Sequence, residues 1–512
     1  MPLETLAPEQ DIPPQASRPN RPSALVIGAG IGGLATAIRL ATAGWAVTVL
    51  ERHSAPGGRA GRWESEGFTF DTGPSLLLML EYWQELFASA GRNLEDYLEL
   101  VQVDPNYKVY FPDGSVLEMT TRLNRLLEEM ERFEPGVAPR VLAYLARTRE
   151  LYDTGLAYIS RNFTSPLDML RGGSLGSLAN LGALGDLQKL IRKYVKDERL
   201  QQALSFQALY LGLSPYDALA IYALLPYTEL GGGIHYPMGG MHEVPLAMER
   251  LGRELGATYR YGADVVKVVR KGDVAEAVVL QDGERLDADL VVVNADLPWA
   301  YQHLLDEPYP GIESKRFSCS VVLLYLGVSR EYPEIDHHNF VVADDMPGAC
   351  RQLFDDHTMP DDTPFYVVAS SRTDRSQAPV GSENIFVLAL APSQPADRDR
   401  WIDWAIEGPK VRERLLDRLE AWALPGLREH LVTSRLVTPQ DFMNDFGNLR
   451  GEAFGLSHNL MQIGAFRPRN RHATLGNLYF VGQSTHPGCG LPMALISASC
   501  VVERIGAEQP QP

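Results

Sequence analysis

A chain of 512 residues is long for one core, so two or three domains are expected. Its 65 acidic residues against 47 basic ones give a net charge of −18, which argues against nucleic acid as the main partner, because phosphate binding wants clustered Lys and Arg. The four scattered cysteines form neither a CxxC pair nor a metal-ligand spacing, and no apolar run reaches the roughly 18 residues a membrane span needs. Reduced thiols, no metal site and a cytoplasmic chain are therefore expected.

Residues 1–22 are proline-rich and lack an apolar core, and read as a disordered leader rather than a secretory or transit signal. The first structured stretch is "ALVIGAGIGGLATAIRLATAGWAVTVLE". Ala24 to Ile27 are short, apolar and partly β-branched, as in a buried parallel strand. Gly28, Gly30 and Gly33 follow as GxGxxG: the first allows a tight turn, the second close approach of a pyrophosphate, the third packing of helix on strand. Residues 34–43 have helical composition, which aims free N–H groups at the phosphate. Gly44 stops the helix, and "AVTVLE" ends on Glu51, 23 residues after Gly28, where an acid binds ribose hydroxyls. Strand, glycines, helix, strand and acid in this order predict a site for an ADP moiety.

The middle of the chain changes character. Residues 120–225 have mainly helical periodicity, and the run from Leu184 to Leu204 predicts one basic amphipathic helix. Leu184, Leu187, Ile191, Tyr194 and Val195 share one side of it, and Lys189, Arg192, Lys193 and Lys196 crowd the others. Such a helix is either a membrane-surface anchor or a domain helix with a solvated basic face. From Gly231 to Asp296 the pattern is a glycine turn, a helix over Val244 to Leu255, a strand from Val265, a hairpin and a strand over Leu290 to Val293. Strand-like runs over 319–393 predict a sheet with one face free to cover a ligand. The C-terminal "NLYFVGQSTHPGCGLPMALISASCVVERI" is a strand, a glycine-rich turn and a closing helix that starts near Leu491. His486 and Cys489 in this turn read as a residue fixing the local backbone and a packing residue.

These motifs together resemble the bacterial and fungal carotenoid (phytoene) desaturases, over nearly all of residues 24–505. The likeness rests on "VIGAGIGGLATAIRL", "PGGRA", "GFTFDTGP", "DERLQQALSFQALYLGLSP", "YPMGGM", "ADVVKVV", "NAD" and "NLYFVGQSTHPGCGLPMALISA". The resemblance implies FAD as cofactor, because a second glycine–arginine turn after the ribose acid is a feature of such FAD enzymes. It implies an α/β fold with a Rossmann-type FAD-binding domain built from discontinuous segments. The expected division is 23–119, 231–305 and 426–512 for that domain, 120–230 for a helical, membrane-facing region and 306–425 for a substrate sheet.

The same resemblance assigns Gly28, Gly30, Gly33, Glu51, Gly58, Arg59, Val265, Gly482 and Leu491 to FAD. It offers Asp168 in "PLDMLR" as an acid/base residue, Arg171 as its neighbour and Glu229 in "YTELGGG" as a further acid. Where the family often carries an arginine before the aspartate, this chain has Leu167, and Asp168 reads equally as a helix N-cap. The implied activity is dehydrogenation of a hydrophobic polyene drawn from a membrane by a peripherally attached enzyme, with oxygen or a quinone as electron acceptor. A related carotenoid ketolase, isomerase, or dehydrosqualene or hydroxycarotenoid desaturase shares these motifs. A third reading is a non-enzymatic escort of prenylated partners on the same fold.

Overall fold

The computed structural model describes residues 21–163, 168, 176, 179 and 182–509. Its first layer is a five-stranded parallel sheet in the order 478–480, 290–293, 23–27, 46–51, 258–261. Ser23–Ile27 is central, with Val26 level with Val292 on one side and Val49 on the other. Both faces of this strand are covered, which is why it is apolar without alternation. The Ile31–Thr42, Glu243–Glu254 and Leu491–Glu508 helices pack on one face. A three-stranded antiparallel sheet, formed by Val265–Lys271, Val274–Leu280 and Arg285–Asp287, covers the other with the Leu297–His303 helix.

The second sheet has seven strands in the order 431–437, 320–328, 383–391, 365–368, 338–341, 107–110, 116–119. All nine residues of Ser320–Val328 are buried, because the sheet is covered on both faces. Val322, Leu324 and Leu326 pack towards the Trp404–Trp422 helix, and Val321, Leu323 and Tyr325 face the opposite way into the helical region. The described residues of 120–230 include long helices at Leu123–Phe133 and Ala138–Ile159.

Two expectations need correction. The boundaries at 119 and 425 do not match the sheets: Tyr107–Tyr110 and Val116–Met119 join the seven-stranded sheet through the parallel pair Val109–Phe340, and Leu431–Val437 forms its opposite edge. Both assignments fail because pairing between strands this far apart in the chain, Val109 with Phe340 and Leu323 with Val437, leaves no local signature. The single basic helix over 184–204 is also absent. Two short helices replace it, Leu187–Ile191 capped by Asp186 and Glu198–Ala203 capped by Asp197. Between them the carboxylate of Glu134 accepts from the backbone N–H groups of Lys196 and Asp197, at 2.7 and 3.0 Å. Leu187, Ile191 and Val195 are consumed by the protein's own core, while Lys189, Arg192, Lys193 and Lys196 are exposed. The domain-helix alternative therefore accounts for the apolar side.

Candidate active site

A cavity of about 660 Å³ runs from the C-terminal edge of the parallel sheet to the inner face of the seven-stranded sheet. At the first end it is made of backbone. Gly28, Gly30, Gly58, Gly482 and Leu491 line it, with Glu51, Arg59 and Val265. Gly33 does not line it; a Cβ there would lie 2.0 Å from the Gly28 carbonyl oxygen, so this glycine lets the helix close onto the turn. Gly28 has φ of +98°, and a Cβ on it would meet the Asn294 carbonyl oxygen at 2.7 Å. The Glu51 carboxyl is held at the strand end by the N–H groups of Ala29 at 2.7 Å and His53 at 2.9 Å. Neither Gly30 nor Gly490, the N-caps of the first and last helices, has a side chain to cap the first turn. Both helix starts thus offer open N–H groups to the same cavity, as an anionic or carbonyl-bearing ligand requires. A dinucleotide fits this cradle at its phosphates, ribose and far ring.

Asn294 ties the two glycine turns together and was not singled out from sequence. Its side-chain amide points at the Gly28 carbonyl at 3.4 Å, and a Cβ at Gly32 or Gly482 would fall within 2.9 Å of its Oδ1. The signal available was the "NAD" that follows a parallel strand, read only as a family mark.

Arg59 reaches a second group that the sequence did not reveal. It donates to the Ala453 carbonyl at 2.7 Å, to Asn448 Oδ1 at 2.8 Å and to Gln483, and it stacks over Phe446. Asp296 and Glu452, both buried, are close enough to act on its charge. Burial pushes both carboxyls up from the usual carboxylate range; Ser484 and Arg59 oppose this at Asp296, and the proximity of Asp296 adds to it at Glu452. These partners come from three distant segments. His486 is anchored by Ile159, whose carbonyl lies 2.8 Å from Nε2, and burial lowers the ring to about 4. The ring thus ties this turn to the end of the Ala138–Ile159 helix rather than to its own local backbone. Cys489 is buried in the turn and the other three cysteines are buried elsewhere.

The other end of the cavity is apolar. Leu156 and Ile159 come from the Ala138–Ile159 helix, Leu224 and Leu225 from the next long turn of helix, and Leu323 and Leu388 from the sheet. The described residues lining this arm include Tyr210, Phe340 and Tyr366 but no Asp, Glu, Lys or Arg. Of the three acid/base candidates, Asp168 is half-buried and is not among the described lining residues. Arg171 lies outside the described residues. Glu229 is fully buried one layer behind the wall, next to Thr228, which does line the cavity.

A dinucleotide cradle opening onto an apolar arm suits a flavin-dependent oxidoreductase, and the comparisons with known proteins show that class. The model of the flavin containing amine oxidoreductase family matches residues 31–506, so the chain belongs to that family and carries FAD. Within it the chain groups with the carotenoid desaturases. It is 44% identical to a zeta-carotene-forming phytoene desaturase of Myxococcus xanthus, over 94% of this chain and 93% of that one. It is 36% identical to a 4,4'-diapolycopene oxygenase of Methylomonas sp, covering 94% and 98% respectively. Among solved structures, an oxidoreductase from Methanosarcina mazei superposes with a TM-score of 0.63 at 17% identity, over 94% of this chain and all of that one. That likeness concerns the fold alone.

Proposed function

We propose that the chain desaturates a phytoene-like polyene, removing hydride from an allylic carbon held in the apolar arm. The observation that carries this reading is the continuity of one cavity from the dinucleotide cradle to an arm without a charged side chain. A charged or strongly polar substrate would lose its hydration there without replacement. Bound FAD supplies the hydride acceptor. The chain's own residues bind and exclude: the glycine turns and helix starts hold the phosphates and flavin ring, Glu51 the ribose, Val265 the adenine side, and Arg59 the joint between the two turns. The apolar arm orients the polyene and keeps water out. Asp168 is the proposed acceptor of the proton. Asp168→Asn with full turnover and normal FAD content would remove it from that role.

Access from a membrane surface is part of the proposal. Leu184 and Leu460 line the cavity and yet are 39% and 41% exposed, and Met461 beside them is 62% exposed. They form an apolar rim at the mouth, with the exposed Lys189 and Arg192 following Leu184 in the chain. No helix among the described residues is long and apolar enough to cross a bilayer, so attachment would be peripheral. Oxygen or a membrane quinone would take the electrons.

The test is incubation of the FAD-loaded protein with liposomes carrying phytoene, in air, with products read by absorbance and chromatography. Polyenes of stepwise longer wavelength are expected. Unchanged phytoene with flavin bound would overturn the substrate assignment. The likeness to an oxygenase favours a second reading, oxidation at a chain end of a more unsaturated carotenoid, and an oxygenated product in the same liposomes would select it. A colourless protein that binds prenylated partners would revive the escort reading.

A further inference from the structure

Behind the aromatic part of the apolar arm sits one carboxyl without a counter-charge. Glu229, on the Leu224–Gly232 helix, is 0% exposed. Its Oε2 accepts from the Tyr107 hydroxyl at 2.8 Å and from Gln207 Nε2 at 3.3 Å. The Tyr210 hydroxyl also acts on this carboxyl and favours its ionised form, while Oε1 has no hydrogen-bond partner.

Every group that faces Glu229 is a phenol or an amide. Tyr107 comes from the Tyr107–Tyr110 strand, next to the edge of the seven-stranded sheet, Gln207 and Tyr210 from the Phe206–Leu211 turn, and Tyr366 from the Phe365–Val368 strand. No Lys or Arg acts on it among the described residues. Beyond Tyr366 lies His338, 2.7 Å from its hydroxyl, which burial and the neighbouring His337 keep neutral. An acid buried with an unpaired oxygen and no cation is costly to the fold, and an apolar side chain of its size would be cheaper. The chemistry of the arm gives that cost a use.

Tyr210 and Tyr366 line the arm and both feel the charge of Glu229. A hydrocarbon chain that loses a hydride is left as an allylic cation in a site with no water to solvate it. We propose that Glu229 is a buried counter-ion for that cation, acting through the phenols of Tyr210 and Tyr366 that form the wall. Aromatic faces attract a cation directly, and a fixed negative charge behind them favours it further without reorganisation. Glu229 exchanges no atom in this role: the electrons of the broken C–H bond leave with the hydride, and the proton of the neighbouring carbon goes to the separate acceptor proposed above. Glu229 is thus a positioning residue for charge, and the inference rests on the desaturase reading only for the identity of the cation.

Burial pushes the Glu229 carboxyl up to about 7, against Tyr107, Tyr210 and Gln207, which favour its ionised form. The counter-ion is therefore formed as pH rises through neutrality. The test compares wild type, Glu229→Gln and Tyr210→Phe in the FAD-loaded protein. Two readouts are taken: the rate of anaerobic flavin reduction by phytoene in liposomes, and the affinity for a long-chain trialkylammonium salt relative to its neutral hydrocarbon analogue.

In wild type both the rate and the preference for the ammonium ligand should rise through neutral pH, by roughly tenfold, the scale of a charge several ångström away in a protein interior. Glu229→Gln should lose the rise in both while keeping its FAD and its thermal midpoint, since the amide still accepts from Tyr107. Tyr210→Phe should keep the pH dependence with a smaller amplitude. The same pH-dependent preference in Glu229→Gln as in wild type would overturn the inference. If phytoene reduces no flavin in wild type, the substrate reading falls, and the ammonium ligand alone decides the counter-ion.

Discussion

The two ends of the cavity are built from different materials. At the cofactor end the contact surface is mostly backbone, held by glycines whose missing Cβ atoms leave no room for any other residue. At the polyene end it is mostly side chain, with leucines, isoleucines and aromatics standing on a sheet and helices that are themselves well packed. A surface made of main chain has one shape, so substitutions there act through the cofactor in an all-or-none way. A surface made of side chains can be recut while the frame stands. The cofactor end should therefore lose function by losing flavin, and the polyene end by changing what is made.

The largest effect expected is at Gly28. Gly28→Ala puts a Cβ at φ +98° against the Asn294 carbonyl at 2.7 Å, and the purified protein should retain no flavin absorbance. A flavin-replete Gly28→Ala would break the contrast. Next comes Arg59→Ala, which leaves Asp296 and Glu452 buried without their cation and should cost about 3 kcal/mol or more in thermal unfolding. The pH dependence has a definite sign. Burial holds both carboxyls above their unfolded values, so the stability they allow is present in acid and lost as pH rises through their raised folded values. The Arg59→Ala deficit should grow from acid to alkaline buffer; a constant deficit would show that packing, not charge, is lost.

Leu323→Ala, in the floor of the apolar arm, should cost about 2 kcal/mol, at the low end for a buried leucine because the void opens into an existing cavity. Its flavin content should stay at the wild-type level while the ratio of products from phytoene shifts. An unchanged product ratio would mean that this part of the arm does not select the substrate. The smallest effect is expected at the rim. Leu460→Ser with Met461→Ser should leave flavin and fold intact and weaken sedimentation with phytoene-loaded vesicles several-fold, consistent with the modest apolar area removed from contact. Undiminished sedimentation would place the membrane contact elsewhere.

The same division explains what could be read from the chain alone. Gly28, Gly30, Gly33 and Glu51 were legible because the turn and the acid that follow one strand lie within a few dozen residues, and each residue type answers a local demand. Asn448, Glu452 and Gln483 were not, because they meet Arg59 only after segments hundreds of residues apart have been folded together. Tyr107–Tyr110 was placed in the wrong domain for the same reason: its partner strand begins at His338. The helix over 184–204 failed differently. Its periodicity is real, and Leu187, Ile191 and Val195 are buried while Leu184 is not, but one carboxylate, Glu134, accepts from the backbone at Lys196 and Asp197 where the next helical turn would run. Glu229 was marked by the family resemblance, but its partners Tyr107 and Gln207, 122 and 22 residues away, carry no sequence pattern that pairs them with it.

The contact of Asn294 with both glycine turns has a consequence for how the protein is made. The first turn is synthesised near the start and the second only with residues 482–491, so 460 residues separate the starts of the two helices that frame the site, Ile31 and Leu491. At the usual pace of translation that is roughly half a minute or more. The central strand has Ala46–Glu51 beside it early but gains Leu290–Val293 only later, and the free side of Leu290–Val293 then stays open until Leu478–Phe480 follows. Until Leu478–Phe480 has been made, the nascent chain carries an unfinished apolar sheet edge along Leu290–Val293. Cofactor supply during release, rather than afterwards, should then decide how much of the chain reaches its active form.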